Sequence, residues 1–117
     1  IENTIRALGI KQLARVSAFD LPAAQKAIEQ ALSYDGPSVV ILEGECALQV
    51  VRRKETKPPF TVVESKCTGC KTCLQLGCSA IGFDVKSKKA NIDAAACVGC
   101  GLCQGVCPTK AIISTIS

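Results

Sequence analysis

The sequence predicts an α+β protein in which a short α/β segment is followed by a small module made of two similar halves. Three observations predict this. Eight of the nine cysteines fall between residues 67 and 107, in two runs that repeat with an offset of about 30 residues. Short β-rich stretches flank each run, and polar turn residues separate the middle two. Upstream of the cysteines, a helical pattern lies between two strand-like stretches, which is the order of a parallel crossover unit.

The first predicted domain covers residues 1–56 and contains helix, strand, helix and strand in that order. The stretch NTIRAL followed by Gly9 predicts a helix end, and LARVS predicts a short strand. Asp20 is placed to cap the second helix, with Pro22 in its first turn. The apolar run SVVILE, after Gly36 and Pro37, predicts a parallel strand covered on both faces. About 50 residues cannot cover such a sheet, so we expect this segment to end a larger domain.

The second predicted domain covers residues 57–117, after the charged stretch VRRKETKPPF, which is expected to be an extended linker. Each half of this domain has the order strand, cysteine run with a short helix, strand, so the whole is predicted as βαββαβ. The strands are read from TVVE, FDV, ANI and AIISTIS. The polar KSKK between the middle two strands predicts a hairpin turn, with Lys86, Lys88 and Lys89 solvated near its tip.

The two cysteine runs have the spacing of iron–sulfur ligands. The run that begins at Cys97, CVGCGLCQGVCP, is C-x2-C-x2-C-x3-C-P, whereas CTGCKTCLQLGCS has one more residue before its last cysteine and Ser79 in place of proline. Three sulfurs of one tight loop occupy three corners of an iron cubane, and the fourth cysteine, at the end of a short helix, reaches the other cluster. Pro108 ends one helix after its last cysteine, and Gly77 is expected to end the other.

We therefore predict two 4Fe-4S clusters with crossed ligation. The first cluster is assigned to Cys67, Cys70, Cys73 and Cys107. The second cluster is assigned to Cys97, Cys100, Cys103 and Cys78. The apolar residues expected to keep water from the clusters are Leu74, Ile81, Val98, Leu102, Val106 and Ile112.

Composition bears on the other classes of protein. Histidine is absent, so a zinc site would need four cysteines, and such a structural site is the main alternative to iron. The formal net charge of +4 counts every thiol as neutral, and two clusters with their thiolates would bring it to roughly zero. With one Tyr, three Phe and no Trp, stacking residues for nucleic acid are few.

No apolar run is long enough to span a membrane, and we expect a soluble, cytoplasmic protein. Cys46 lies outside the pattern and is expected to be a small buried thiol.

The cysteine runs also carry a family resemblance. From about residue 58 to 117 the sequence resembles bacterial two-cluster ferredoxins. The first run, CTGCKTCLQLGCSAI, indicates a more specific family. It resembles the C-terminal ferredoxin module of the large subunit of indolepyruvate ferredoxin oxidoreductase. Residues 1 to about 55, where a helix and the strand GPSVVI precede a cysteine, are similar to the end of the thiamine-diphosphate-binding domain of that subunit.

The resemblance implies a two-cluster ferredoxin module preceded by a fragment of a thiamine-diphosphate-binding domain. It implies that the parent subunit uses thiamine diphosphate and Mg to decarboxylate arylpyruvates such as indolepyruvate, forms acyl-CoA, and sends electrons through the clusters to a soluble ferredoxin. The implied partners are the rest of the parent subunit and a smaller second subunit. This stretch lacks the G-D-G motif, the downstream Asn and the activating Glu of the cofactor site, so no catalytic residues are assigned. The alternatives are the ferredoxin domain of another redox enzyme and a structural zinc module.

Overall fold

The computed structural model describes residues 1–116; Ser117, the last residue of the predicted AIISTIS strand, lies outside them. Contacts divide the chain into two compact units, Ile1–Glu45 and a second one that begins at Cys46. The sequence predicts a domain boundary after residue 56, which is later in the chain than the boundary between these two compact units. The position of the domain boundary itself stays a prediction. No helix within residues 1–116 combines the length and the apolar character needed to cross a bilayer.

The first unit contains two helices and two parallel strands. Its elements are α1 (Glu2–Ala7), β1 (Gln12–Ser17), α2 (Leu21–Ser33) and β2 (Ser38–Glu43). The two strands pair in parallel, with Leu13 opposite Val39 and Val16 opposite Leu42. The predicted order of helix, strand, helix and strand is therefore confirmed, as is the parallel pairing across a helical connection.

Helix α2 begins where the sequence predicts. The Asp20 carboxylate accepts a hydrogen bond from the backbone N–H of Ala23 at 3.1 Å, and Pro22 lies in the first turn. Ala24 and Ala27 are buried, and small side chains at these positions let the helix axis approach the sheet closely. The cap and the alanine face together set where this helix starts and which side it turns inward.

Residues 1–45 cover β2 only in part, which agrees with the expectation that about 50 residues cannot cover both faces of such a sheet. The strand is half-buried along Ser38–Ile41 and exposed at Leu42 and Glu43. Leu42 retains 48% of its exposed area and Leu32 of helix α2 retains 81%. A two-stranded sheet within residues 1–45 is too narrow to bury every apolar side chain of a parallel strand.

The second unit is built from two antiparallel strand pairs and short helices. Its elements are α3 (Ala47–Arg52), β3 (Phe60–Val62), a 3₁₀ helix (Thr72–Leu76), β4 (Ile81–Asp84), β5 (Lys89–Ile92), α4 (Leu102–Val106) and β6 (Ile112–Ser114). Strand β3 pairs with β6, and β4 pairs with β5 as the predicted hairpin. The βαββαβ order is confirmed, although the helix of the first half is 3₁₀ and not α.

The predicted linker VRRKETKPPF begins inside a helix. Helix α3 continues through Val51 and Arg52, and Lys54 then takes a left-handed conformation with φ +56°. From Glu55 to Pro59 the chain forms neither helix nor strand, and β3 begins at Phe60. The error has a simple cause, since arginine and valine are both compatible with a helix and the prolines restrict only the residues next to them.

The core of the second unit lies between the cysteine runs. Its buried members are Cys73, Ala90, Cys103 and Ile112. The partly buried residues packed against them include Phe60, Val62, Leu74, Ile81 and Ile92. Leu74, Ile81 and Ile112 thus lie in the predicted apolar packing, whereas Val98, Leu102 and Val106 are half-buried outside this cluster. Cysteine side chains are therefore part of the core of a unit that has few large buried residues.

Candidate metal centre

Four cysteines from both halves of the module line one cavity. Cys67, Cys70 and Cys73 come from the first run, and Cys107 comes from the end of the second. Their neighbours in the lining include Val62, Ala90, Pro108, Ala111 and Ile112. The cavity is therefore walled by sulfur and apolar atoms, and its fourth cysteine belongs to the opposite half of the repeat.

Strand pairing explains how Cys107 reaches this cavity. Ile112, at the start of β6, lies opposite Val62, at the end of β3, and the Cys67 run follows directly after β3. The chain that leaves Cys107 is thus held against the chain that enters the first loop. The backbone N–H of Val63 donates to the carbonyl of Ala111 at 2.7 Å and extends this pairing toward the cavity.

The end of helix α4 follows the sequence prediction. Cys107 has φ −75° and ψ 111°, which is extended backbone, and Pro108 follows it. The 3₁₀ helix of the first half ends differently, at Gly77 in a left-handed conformation with φ +65°. The expectation that Gly77 ends the helix before Cys78 is confirmed, because glycine adopts this conformation at little steric cost.

The two cysteine loops have nearly the same backbone conformation. Gly69 and Gly99 occupy related positions with φ of +70° and +72°. A β-carbon on Gly69 would overlap the carbonyl oxygen of Lys88, and one on Gly99 would lie 2.7 Å from the carbonyl oxygen of Lys57. Both loops therefore need glycine for two reasons, the left-handed backbone and the close approach of another chain segment.

We expect Gly69→Ala to destabilise the first loop more than Gly77→Ala does. Both residues are left-handed, which costs roughly 1–2 kcal/mol for an alanine, but nothing lies within 4 Å of a β-carbon on Gly77. The alanine at position 69 must also displace the Lys88 backbone. Urea denaturation and iron content of the anaerobically purified protein would measure the difference, and equal losses in both variants would contradict the steric argument.

The second loop brings three of its four predicted ligands together. The charges of Cys100 and Cys97 act on Cys103, which is 8% exposed, and the backbone N–H of Phe60 donates to Cys97 Sγ at 3.4 Å. Burial is the main cause that raises the pKa of the Cys103 thiol to about 11. Cys78 is exposed and, in the part of the chain that the structure describes, is not among the main charges acting on Cys103.

The thiols of the first cavity affect each other in the same way. Burial raises the pKa of Cys73, and the neighbouring charges of Cys70, Cys107 and Cys67 raise it further. Within residues 1–116, no three Cys, Asp or Glu side chains converge on a point where a single metal ion would bind. Thiolates are the ligands that iron–sulfur clusters use, and each thiolate of a cubane binds a different iron. The donor set of the cavity is in keeping with such a cluster.

Comparison with known proteins agrees with this donor set. Residues 90–113 match the family model for a 4Fe-4S binding domain. Across 116 residues the chain is 43% identical to the indolepyruvate oxidoreductase subunit IorA of Thermococcus kodakarensis, covering 95% of this chain and 18% of that subunit. The chain is similar to part of IorA. The predicted resemblance to indolepyruvate ferredoxin oxidoreductase is thereby confirmed.

Two further similarities complete the comparison. The IorA of Pyrococcus horikoshii is 42% identical over 113 residues, which are 92% of this chain and 17% of that subunit. The chain therefore spans about a fifth of the length of the IorA subunits that it matches. Ferredoxin I from Desulfovibrio africanus superposes with a TM-score of 0.46 at 20% identity, over 52% of this chain and 100% of the ferredoxin.

Sequence reasoning missed two hydroxyl groups in this chain. Thr72 Oγ1 donates to Cys70 Sγ at 3.4 Å, and Thr109 Oγ1 lies 3.6 Å from Cys107 Sγ. The hydroxyl of Thr72 is the first cause that lowers the pKa of Cys70. Burial by itself would raise the pKa of Cys107. Hydrogen bonds with Thr109 and with the backbone N–H of Ala111 outweigh this effect, so the pKa of Cys107 is lowered. Each threonine follows a predicted ligand cysteine by two residues in the pattern C-x-T, and this pattern would have been the sequence signal.

The expectation for Cys46 is also wrong. Its side chain is exposed, because it precedes α3 at the first residue of the second unit and packs in no buried cluster of the described residues. It takes no part in either group of four cysteines. Cys46 is therefore a useful control position for substitutions of the other eight.

Proposed function

We propose that the second unit binds two 4Fe-4S clusters and carries electrons as the relay of an indolepyruvate ferredoxin oxidoreductase subunit. Cys67, Cys70, Cys73 and Cys107 would hold one cluster. Cys97, Cys100, Cys103 and Cys78 would hold the other. The 4Fe-4S domain and the similarity to IorA support the iron–sulfur chemistry itself. The ligand sets and the number of clusters are the proposal.

The observation that carries this proposal is the cavity lined by cysteines of both halves. Crossed ligation requires the last cysteine of one half to lie beside the loop of the other, and Cys107 does so. The same logic supports Cys78, because β4 begins soon after it and pairs with β5, which leads into the Cys97 loop. Ile81 at the start of β4 lies opposite Ile92 at the end of β5, as Ile112 lies opposite Val62.

A 4Fe-4S cluster supplies one-electron transfer and requires no acid or base from the protein. The residues of the second unit would therefore act by holding and shielding. The left-handed conformations of Gly69 and Gly99 would let backbone amides turn toward the thiolates, and Ile112 with its neighbours would keep water from the cavity. A rigid, apolar environment reduces the rearrangement that accompanies each electron.

The reaction of the whole enzyme would take place outside this stretch. We propose that the rest of the parent subunit binds thiamine diphosphate and Mg, decarboxylates arylpyruvates such as indolepyruvate, and transfers the acyl group to coenzyme A. Electrons would pass through the clusters to a soluble ferredoxin, and a smaller second subunit would complete the enzyme. The names of the IorA relatives support an indolepyruvate substrate.

Residues 1–56 would be the end of the thiamine-diphosphate-binding domain, with 57–117 as the ferredoxin domain. Support comes from apolar side chains that the first unit leaves exposed, among them Leu8 at 75% and Leu32 at 81%. A parallel sheet buries both faces in a complete α/β domain, and this unit has two strands. We propose a cytoplasmic location, where the thiols stay reduced for cluster assembly.

Anaerobic purification followed by metal analysis tests the proposal. Two clusters would give a brown protein with broad absorption near 400 nm and about eight irons per chain. A colourless protein that retains zinc through gel filtration would instead identify a structural four-cysteine module, the alternative left open by the sequence. About four irons per chain would reject the two-cluster proposal while leaving a single-cluster module.

A further inference from the structure

The first cavity has hydrogen-bond donors that the repeat does not provide at the second. Thr72 Oγ1 donates to Cys70 Sγ, and the backbone N–H of Ala111 donates to Cys107 Sγ at 3.3 Å. Thr109 Oγ1 lies 3.6 Å from Cys107 Sγ and is the donor once Cys107 is a thiolate, which can only accept. All three donors act on sulfurs of the same cavity. Donors to a sulfur ligand stabilise negative charge on that sulfur.

The repeat supplies a direct internal comparison. With the offset of 30 residues, the position of Thr72 is Leu102 in the second half. With the offset of 29 that relates the last cysteines, the position of Thr109 is Ala80 in the first half. Both related positions would face the second cluster, and neither side chain has a hydroxyl. At the second site the backbone N–H of Phe60 donates to a ligand sulfur, which is Cys97 Sγ.

Positive charge is distributed with the same asymmetry. Lys89 Nζ donates to the carbonyl oxygen of Cys67, and Lys71 Nζ lies 4.8 Å from the centre of the Phe83 ring beside the first loop. Lys66 directly precedes Cys67 and Lys71 lies inside the run, so Lys66, Lys71 and Lys89 are all next to the first loop. The residues related to them by the offset of 30 are Ala96, Gly101 and Pro59.

The remaining charges do not reverse this difference. Among the described residues, Lys57 lies against the second loop with its Cβ and carbonyl oxygen close to Gly99, just as the carbonyl oxygen of Lys88 lies close to Gly69. One acidic residue lies shortly ahead of each loop, Glu64 ahead of the first and Asp93 ahead of the second, although the offset of 30 does not relate these two positions. The first site therefore keeps an excess of positive side chains as well as of hydrogen-bond donors.

We propose that Thr72 and Thr109, with the lysines around the first loop, give the Cys67–Cys107 site a higher reduction potential than the Cys97 site. The proposal rests on the proposed function, since it presupposes two clusters. A reduced 4Fe-4S cluster has one more negative charge than an oxidised one, so donors and cations nearby stabilise the reduced form. At equilibrium, one electron added to the pair would then be held mainly at the first site.

The test is a redox titration of the intact, iron-loaded protein followed by electron paramagnetic resonance. We expect two separate midpoints in the wild type. Thr72→Val, which removes the hydroxyl and keeps the shape, should change the ratio of oxidised to reduced protein at the higher midpoint about tenfold. For one electron this corresponds to a shift of about 59 mV to more negative potential. Thr72→Ser keeps the hydroxyl and should restore the wild-type midpoint.

The second half offers the matched control. Leu102→Thr introduces a hydroxyl at the related position and should move the lower midpoint upward while leaving the higher one unchanged. Thr109→Val, with Thr109→Ser as its conservative partner, gives an independent measurement if the Thr72 variant fails to assemble. The proposal is overturned if Thr72→Val and Thr109→Val move the lower midpoint or neither midpoint.

The outcomes also separate this inference from the proposed function. Fewer than two clusters by iron content would reject the two-cluster relay before any midpoint is compared. If two clusters are present and neither midpoint changes in Thr72→Val or Thr109→Val, the electron relay is retained and only the role of the threonines is rejected. High salt should reduce the part of the difference that comes from exposed lysines, because ions screen exposed charges, and should leave the part from the hydroxyls.

Discussion

Substitution of Cys107 by alanine is expected to remove about half of the iron, from about eight to about four atoms per chain. The reason is that this sulfur would be the one ligand that the second half contributes to the first cluster. Iron analysis and absorption near 400 nm of anaerobically purified protein would measure the loss. Cys46→Ala is the control and should retain the full iron content, because Cys46 is exposed and lies outside the cavity.

Double substitutions make the same experiment specific for crossed ligation. If Cys107 binds the cluster of the Cys67 loop, then Cys67→Ala with Cys107→Ala should lose no more iron than Cys107→Ala alone. Cys97→Ala with Cys107→Ala should lose both clusters. Ligation confined within each half predicts the opposite result for the two pairs, so the comparison decides between the two arrangements.

Substitution of Ile112 by alanine is expected to have the largest effect on stability. Ile112 is 2% exposed, packs in the core with Cys73, Ala90 and Cys103, and forms part of the cavity wall. Removing buried methyl groups costs transfer free energy and leaves a cavity, and such Ile→Ala changes typically reduce the free energy of unfolding by about 2–5 kcal/mol. Anaerobic urea denaturation of the iron-loaded protein would measure this loss.

The next residue on the same strand is the matched control. Ile113 is 41% exposed, and Ile113→Ala should change the free energy of unfolding by less than about 1 kcal/mol. Both variants shorten the same kind of side chain in β6, so their strand propensities change equally. Equal losses of unfolding free energy would mean that the buried position in the cavity wall contributes no more to stability than the exposed position on the same strand. That result would contradict the packing described above.

Local features of the second unit could be predicted from the sequence because neighbouring residues determine them. The hairpin from Ile81 to Ile92 follows from short β-rich stretches around a polar turn, and Pro108 requires extended backbone at Cys107. The cap at Asp20 is local in the same sense. The error in the predicted linker also has a local cause. Helix α3 continues into this charged stretch because the stretch contains no helix-breaking residue before its prolines.

The covering of β2 depends on more than the sequence of the strand itself. Continuous apolar residues such as Val39, Val40 and Ile41 indicate a strand that a complete domain buries, whereas burial within this chain depends on how many neighbours the chain itself supplies. The pattern therefore describes the environment for which the strand is suited. Residues 1–45 supply part of that environment.

By itself the sequence predicted iron–sulfur chemistry, because two C-x2-C-x2-C runs, each followed by a fourth cysteine after three or four residues, have the spacing of iron–sulfur ligands. It also determined the order of strands and helices, which depends on side chains close together in the chain. The predicted meeting of Cys107 with the Cys67 loop gained its physical cause only from the tertiary structure, which alone decided which hydroxyl reaches which sulfur. Cys107 lies beside the Cys67 loop because β6 pairs with β3, a contact between residues about 50 positions apart that no local pattern specifies.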